Sequence, residues 1–432
     1  MLDLSLSRRD MLKLAATGAG ATALSGWLPV LAARAAEVQA QPAATAPTAR
    51  PKRCILLWMD GGPSHKDTFD MKPGTPNASP YRAINTNVSG IQISEHFPRV
   101  AQVMNHGVIV RSMSTLEGAH PRARFHLHTG YREGQGGLVY PSMGSIAAKE
   151  IGSTTSPLPN FVAIGRAGYS SGFLGARHQP LNVVDANRGV ENLQAFVSQG
   201  QLNNRLGLLN EMEQGFYGTY QSDAAQAHRT TYQRAVQLMQ SSQARAFDIS
   251  NEPANSRNAY GNTAFGRGCL LARRLVETGV SFVEVGLGGW DTHNNNNTRV
   301  AQLSAQVDTP MAQLVKDLAD RGLLSDTLVI WMGEFGRTPR MNARAGGDPG
   351  RDHYPRAWSL VMFGGGIRGG RVVGRTDSDA GTVTDRPVNC IQFMATVCRI
   401  LGIDHTKMNN TPNGRPVRIV DRGGEPVREI IG

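Results

Sequence analysis

The stretch GGWDTHNNNN, Gly288 to Asn297, sets Asp291 and His293 on either side of one threonine, directly after the apolar run VSFVEVGLGG. In extended backbone, residues i and i+2 project to the same side. A carboxylate and an imidazole can then reach one point, which makes that point a candidate metal position. A plain Asp/Asn turn with a histidine on its rim accounts for the same ten residues, so the other strand ends have to decide. Asp60 follows the apolar run CILLWM, Glu334 follows TLVIWMG, and His353 lies near the end of the loop RTPRMNARAGGDPGRDHYP, just before another apolar run. Asp, Asp with His, Glu and a nearby His at four such places match two oxygen- and nitrogen-rich metal positions. Zinc is the expected ion, with iron or calcium also compatible. Glu334 is as well placed to pair with Arg337 or Arg340 as to bind metal.

A second group lies in HPRARFHLHTG, His120 to Gly130. On a helix, His120 and Arg124 share a face through their i, i+4 relation, although a helix carrying these residues can also be merely solvated. Arg124, Arg337 and Arg351 offer planar guanidinium forks for an anionic oxygen; the plain alternative for each is an ordinary ion pair.

These residues need a scaffold that brings strand ends together. CILLWM, GVIVRSM, LPNFVAIG, VSFVEVGLGG, DTLVIWMGE and WSLVMFGGG read as buried strands. AFGRGCLLARRLVETG, LSAQVDTPMAQLVKDLADRGLL and NCIQFMATVCRILGI read as helices between or after them. The alternation predicts an α/β fold with a mostly parallel central sheet sandwiched by helices, and a helical insertion around 190–250. In such open sheets the ligand site lies beyond the carboxyl ends of the strands, where the polar motifs fall. The asparagines 294–297 read as loop. Gly364–Gly370, GGGIRGG, lacks the spacing and lysine of a phosphate loop and reads as a tight hairpin.

The chain has 432 residues, 40% of them apolar, and a formal charge of +11. That charge favours an anionic small-molecule or polymer substrate. With no long basic run, zinc-finger or helix-turn-helix signature, nucleic acid is not an expected partner. Residues 1–36 hold Arg8-Arg9 after Ser7, then Met11-Leu12-Lys13, a weakly apolar stretch and Ala33-Arg34-Ala35. They resemble a twin-arginine export signal. The expectation is passage through the twin-arginine translocase to the periplasm or exterior. Glycine, serine and threonine interrupt the stretch too often for a stable span of about 20 apolar residues. Residues 37–50 read as a flexible linker, and 51–432 as one domain. The four cysteines match no zinc or redox motif.

From about Pro51 to Asp404 the order of these residues resembles the alkaline-phosphatase-like superfamily, which includes sulfatases. MDGGPSHKDTFDMKPG, FLGARHQPLNV, GGWDTH and GEFGRTPRMN are closest to a family of uncharacterised, twin-arginine-exported bacterial proteins, a domain of unknown function. The resemblance implies metal ligation by Asp60, Asp291, His293, Glu334 and His353. Asp291, His293 and His353 would form one position, Asp60 and Glu334 the other. At the second position Phe335 stands where the superfamily has histidine, and His65, Asp67 or His120 is left to complete it. The nucleophile slot holds His120, which excludes formylglycine chemistry; Ser64, Thr68 or Thr115 would have to supply a hydroxyl. Two functions follow as expectations. One is an exported metal-dependent hydrolase or transferase of anionic phosphate or sulfate esters, with His120 and Arg124 catalytic and Arg337 and Arg351 binding substrate. The other is a non-catalytic metal-binding or structural descendant of the fold, acting in a periplasmic or surface complex.

Overall fold

The apolar run after Lys52 has no polar face, and a strand of that kind is stable only with cover on both sides. Arg53–Met59 (β1) turns Cys54, Leu56 and Trp58 into one core and Ile55, Leu57 and Met59 into another. The computed structural model describes residues 52–219, 223–343 and 348–431; the export signal and linker read from the sequence lie outside them.

Among the described residues, β1 belongs to a nine-stranded sheet. The other strands are Gly107–Ser114 (β2), Phe161–Ile164 (β3), Leu181–Val183 (β4), Phe282–Leu287 (β5), Thr327–Met332 (β6), Trp358–Gly364 (β7), Arg371–Val373 (β8) and Val388–Asn389 (β9). Their order is β8-β2-β7-β6-β1-β5-β3-β4, with β9 also paired to β2. Only β7 runs against its neighbours, β2 and β6; every other pairing is parallel. The rim at which the parallel strands end is therefore the rim at which β7 begins.

Seven helices matter to the site or the core: His120–Thr129 (α1), Met143–Glu150 (α2), Gln199–Thr219 (α3), Asp223–Gln240 (α4), Ala264–Glu277 (α5), Asn296–Asp320 (α6) and Cys390–Ile400 (α7). Leu270, Leu271 and Leu275 of α5, with Val307, Met311 and Leu314 of α6, cover the Ile55 face of the sheet. Met143 and Ile146 of α2, with Phe393, Met394 and Val397 of α7, cover the Trp58 face. Each fully buried side chain of this size contributes about 1.5–3 kcal/mol. Local signals set the starts: Thr263 accepts from the Gly266 N–H at 3.0 Å, and Asn389 with Gln392 forms a capping box on α7. The layers are those expected from the sequence, and α3 and α4 make up the helical insertion.

Two local expectations fail. Gly364–Gly370 is not a hairpin, because β8 pairs with β2 rather than with β7. The glycines carry the chain past β2, and Gly364, Gly365 and Gly366 all have positive φ. The asparagine run is not all loop either: α6 starts at Asn296, whose side chain is buried. Among the described residues, no helix is long and apolar enough to cross a membrane.

Candidate metal centre

Close passage of loops at the strand ends builds the site. After Asp60 the chain turns through Gly61 (φ +114°) and Gly62 (φ +78°). A Cβ on Gly61 would lie 2.3 Å from the Asp291 backbone N, and one on Gly62 2.7 Å from the Phe335 ring. Only glycine allows both the backbone angle and the approach. The Gly61 N–H then donates to both carboxylate oxygens of Glu334, at 3.0 and 3.2 Å. The short strands Gly336–Arg337 and His353–Tyr354 pair antiparallel and put His353 opposite Arg337. The Arg351 N–H donates to the Thr292 carbonyl at 3.0 Å, lacing this ribbon to the Asp291 loop.

Three imidazoles and one carboxylate meet there. His293 Nδ1 lies 2.7 Å from Asp352 Oδ1, His353 Nδ1 2.8 Å from the Gly118 carbonyl, and His120 Nδ1 2.6 Å from Glu334 Oε1. Each of these partners only accepts, so each Nδ1 carries the hydrogen and, in a neutral ring, each Nε2 keeps a lone pair. The Nε2 atoms turn inward. Those of His293 and His353 are 3.0 Å apart, and they lie 3.1 and 3.2 Å from Asp291 Oδ1. His120 Nε2 is 3.4 Å from Asp291 Oδ2 and is buried without a hydrogen-bond partner. The ligand atoms of His120, Asp291 and His353 all lie within 4.8 Å of one another. Lone pairs aimed at one another can share a cation. Imidazoles oriented through Nδ1 by carboxylate or carbonyl are the usual support of such a ligand set. The residues fit a divalent ion.

The electrostatics agree. Burial pushes the His120 imidazole down, but Asp291 and Glu334 outweigh it and raise its pKa to about 9. Burial likewise opposes ionisation of Asp291, yet His120, His353 and Arg337 hold it far below the usual carboxylate range. The place is built for positive charge.

Asp60 stands apart from the imidazoles. Its oxygens face Arg124 Nε at 2.6 Å and Nη2 at 2.9 Å, Arg166 Nη1, and the Trp58 indole N–H at 3.3 Å. Arg124 Nε also lies 3.4 Å from Glu334 Oε1. Phe335 is buried, with its ring 4.9 Å from that of His120 and 4.7 Å from that of His353.

The two remaining arginines are buried ties between loops. Arg337 donates to the Gly61, Gly62 and Arg351 carbonyls and, at 2.6 Å, to Asp291. Arg351 grips Asp67 through Nε at 2.8 Å and Nη2 at 3.1 Å, and its Nη1 meets the Thr338 and Pro339 carbonyls. None of these Arg351 partners is in the imidazole cluster. Asp67 is thereby engaged by Arg351, Asn296 and Ser79, while His65 Nε2 meets the Ala380 carbonyl and its Nδ1 is buried without a hydrogen-bond partner. The Ser64 side chain caps the turn His65–Thr68, Thr68 donates to the Ser64 carbonyl, and Thr115 donates to the Glu117 carbonyl.

Sequence reasoning passed over Asp352, Arg166 and Asn296. Arg166 follows the run FVAIG and so met the strand-end criterion already applied to Asp60. Asp352 adjoins His353, but nothing in the sequence pairs it with His293. The inner face of α1 is not solvated: His128 is buried between Trp58 (ring centroids 4.1 Å) and Tyr169 (4.3 Å), with Nε2 3.4 Å from Glu284.

A family model described as "Protein of unknown function (DUF1501)" matches residues 51–431, and the chain belongs to that family. No protein of curated function matches it. Solved structures similar to it include the PsFucS1 sulfatase from Pseudoalteromonas sp. (12% identity, 87% of this chain and 71% of that one, TM-score 0.42). Another is the C-terminal periplasmic domain of EcEptC from Escherichia coli in complex with Zn (9%, 88% and 89%, TM-score 0.38). A third is the lipoteichoic acid synthase LtaP from Listeria monocytogenes (10%, 82% and 72%, TM-score 0.33).

Proposed function

We propose that this member of the family is an exported hydrolase or transferase of anionic esters, phosphate or sulfate, that works with a divalent metal ion, zinc first. The single observation that carries the reading is the convergence of three Nδ1-anchored imidazoles on Asp291. His120, Asp291, His293 and His353 would hold the ion; bound there, it supplies Lewis acidity toward an ester oxygen. The other residues have separate tasks. Arg124 and Arg166, with 23% and 34% of their side chains exposed, flank the cluster and would hold the ester's remaining anionic oxygens. Glu334, fully buried, fixes the orientation of His120. Arg337 anchors Asp291 from beneath. Ser64, Thr68 and Thr115 are occupied in local bonds, which supports water or a substrate hydroxyl as the group that attacks. Asp60 serves the reading through Arg124 and Arg166 rather than as a direct ligand. Arg351 serves it as a brace.

The order of ligands along the chain supports kinship with alkaline phosphatases and sulfatases. The Ser7–Lys13 pattern supports export by the twin-arginine translocase and work in the periplasm or outside the cell, on a small or polymeric anionic substrate.

The test is metal content by mass spectrometry on the full chain purified without chelator, with an activity screen over phosphate mono- and diesters and sulfate esters. One strongly bound ion and turnover that His293→Ala abolishes are expected. A metal-free protein indistinguishable from His293→Ala would overturn the reading. The non-catalytic alternative is favoured by one feature, Phe335, buried beside His120 and His353 where the resemblance implies a histidine ligand. Metal binding without turnover anywhere in the screen would establish it instead.

A further inference from the structure

Strands β1 and β6 are paired neighbours, and Asp60 and Glu334 follow just beyond their ends. Two carboxylates directed into one space repel unless a cation separates them. At a two-ion centre that cation is the second metal. Here a guanidinium holds the place. Arg124 Nε is 2.6 Å from Asp60 Oδ1 and 3.4 Å from Glu334 Oε1, and Nη2 donates to Asp60 Oδ2 at 2.9 Å. Its Nε contacts are close approaches of charge without hydrogen-bond alignment, as expected of an ion seated between two anions.

We infer that Arg124 is a built-in cation in the second metal position, so that this centre takes one divalent ion and no more. The inference rests on the metal reading above and adds to it the number of ions and the reason for that number. Three observations support it. Every oxygen of the two carboxylates already has a partner: Asp60 meets Arg124, Arg166 and the Trp58 N–H, and Glu334 meets the Gly61 N–H, His120 and Arg124. The Phe335 ring is buried against His120 and His353 and offers no ligand atom beside Glu334. Arg124 is also delivered by the same helix as the ligand His120, four residues on, so one element brings the ligand and the substitute cation together. An arginine keeps its charge at every working pH and needs no loading. A substrate anion at this rim is then held between one exchangeable cation and one fixed cation.

The experiment is a count of ions. The full chain is stripped with chelator, titrated with Zn²⁺ and separately with Mg²⁺ by calorimetry, and assayed by mass spectrometry. Wild type is expected to take one ion per chain. Arg124→Ala opens the space between Asp60 and Glu334 and is expected to take a second, weaker ion. Arg124→Lys, which keeps a positive charge, is expected to stay at one. Thermal melts keep the test open if Arg124→Ala folds poorly: its midpoint in chelator should fall, and added divalent ion should restore it by more than it raises wild type. Two ions on wild type overturn the inference, as does an Arg124→Ala variant with one ion and no excess rescue. Wild type that binds no ion overturns the metal reading itself, a distinguishable failure.

Discussion

Asp60 and Asp291 follow adjacent strands, β1 and β5, and both look like metal ligands in the sequence, yet the fold gives them opposite neighbours. Asp291 has 45% of its side chain exposed and faces three imidazoles, whose ring nitrogens can share a cation. Asp60 is 13% exposed and faces two guanidinium groups, which stay charged. On the metal reading proposed above, one half of the rim is open to an ion from solution, and the other half is neutralised by the chain. A carboxylate at a strand end marks a site; the base opposite it decides whether the site binds metal.

The sharpest way to break this contrast is to remove one ligand from each half. His353→Ala should drop metal content to background in mass spectrometry, while Asp60→Asn should leave the ion bound. The reverse outcome would show the halves to be wrongly assigned.

Next in size is the brace behind both halves. Arg351→Met leaves the buried Asp67 carboxylate without its bidentate partner, a change that typically costs about 3–5 kcal/mol. Denaturant unfolding should show that loss with one ion still bound at saturation. Loss of the ion with full stability would instead place Arg351 in the centre.

Asp352→Asn tests the support of the open half. It weakens the acceptor that holds His293 Nδ1 at 2.7 Å, and changes of this kind typically reduce metal affinity about 10–100-fold. Calorimetric titration with Zn²⁺ reads it.

The smallest effect concerns two buried carboxylates that repeat the contrast in another form. Burial tends to raise Asp67, but Arg351 holds it below its usual range. Among the described residues Asp308 accepts from the Arg99 and Val100 N–H groups, and burial raises it to about 6. The signs are opposite. Asp67 contributes stability that is present above the ordinary carboxylate pKa and lost as pH falls through its folded value. Asp308 contributes stability that is present below about 4 and lost as pH rises through about 6, some 1–3 kcal/mol. Unfolding free energies measured from pH 4 to 7 should fall less steeply in Asp308→Asn than in wild type.

Much of this was legible in residue order. Continuous apolar runs announced parallel strands, and Asp291, His293 and His353 around them were singled out as candidates that the structure brings within about 3 Å of one another. His353 precedes its strand instead of following one, and it reaches the rim because β7 runs backwards. Strand direction leaves no mark in a run such as WSLVMFG, since alternation reads the same both ways. Asn296 illustrates another gap. Four asparagines look like loop, and only the buried Asp67 with Thr292 beside it shows why one of them opens a helix.

By itself the sequence determined six strands of the sheet, its covering helices, and many of the side chains that stand at the rim, because period and apolarity are local properties of the chain. Only the tertiary structure decided which charge neutralises which. Asp60 and Arg124 lie 64 positions apart, Glu334 and His120 214. Coulomb attraction depends on distance in space, so the partners of Asp60 and Glu334 are set only after the loops have closed.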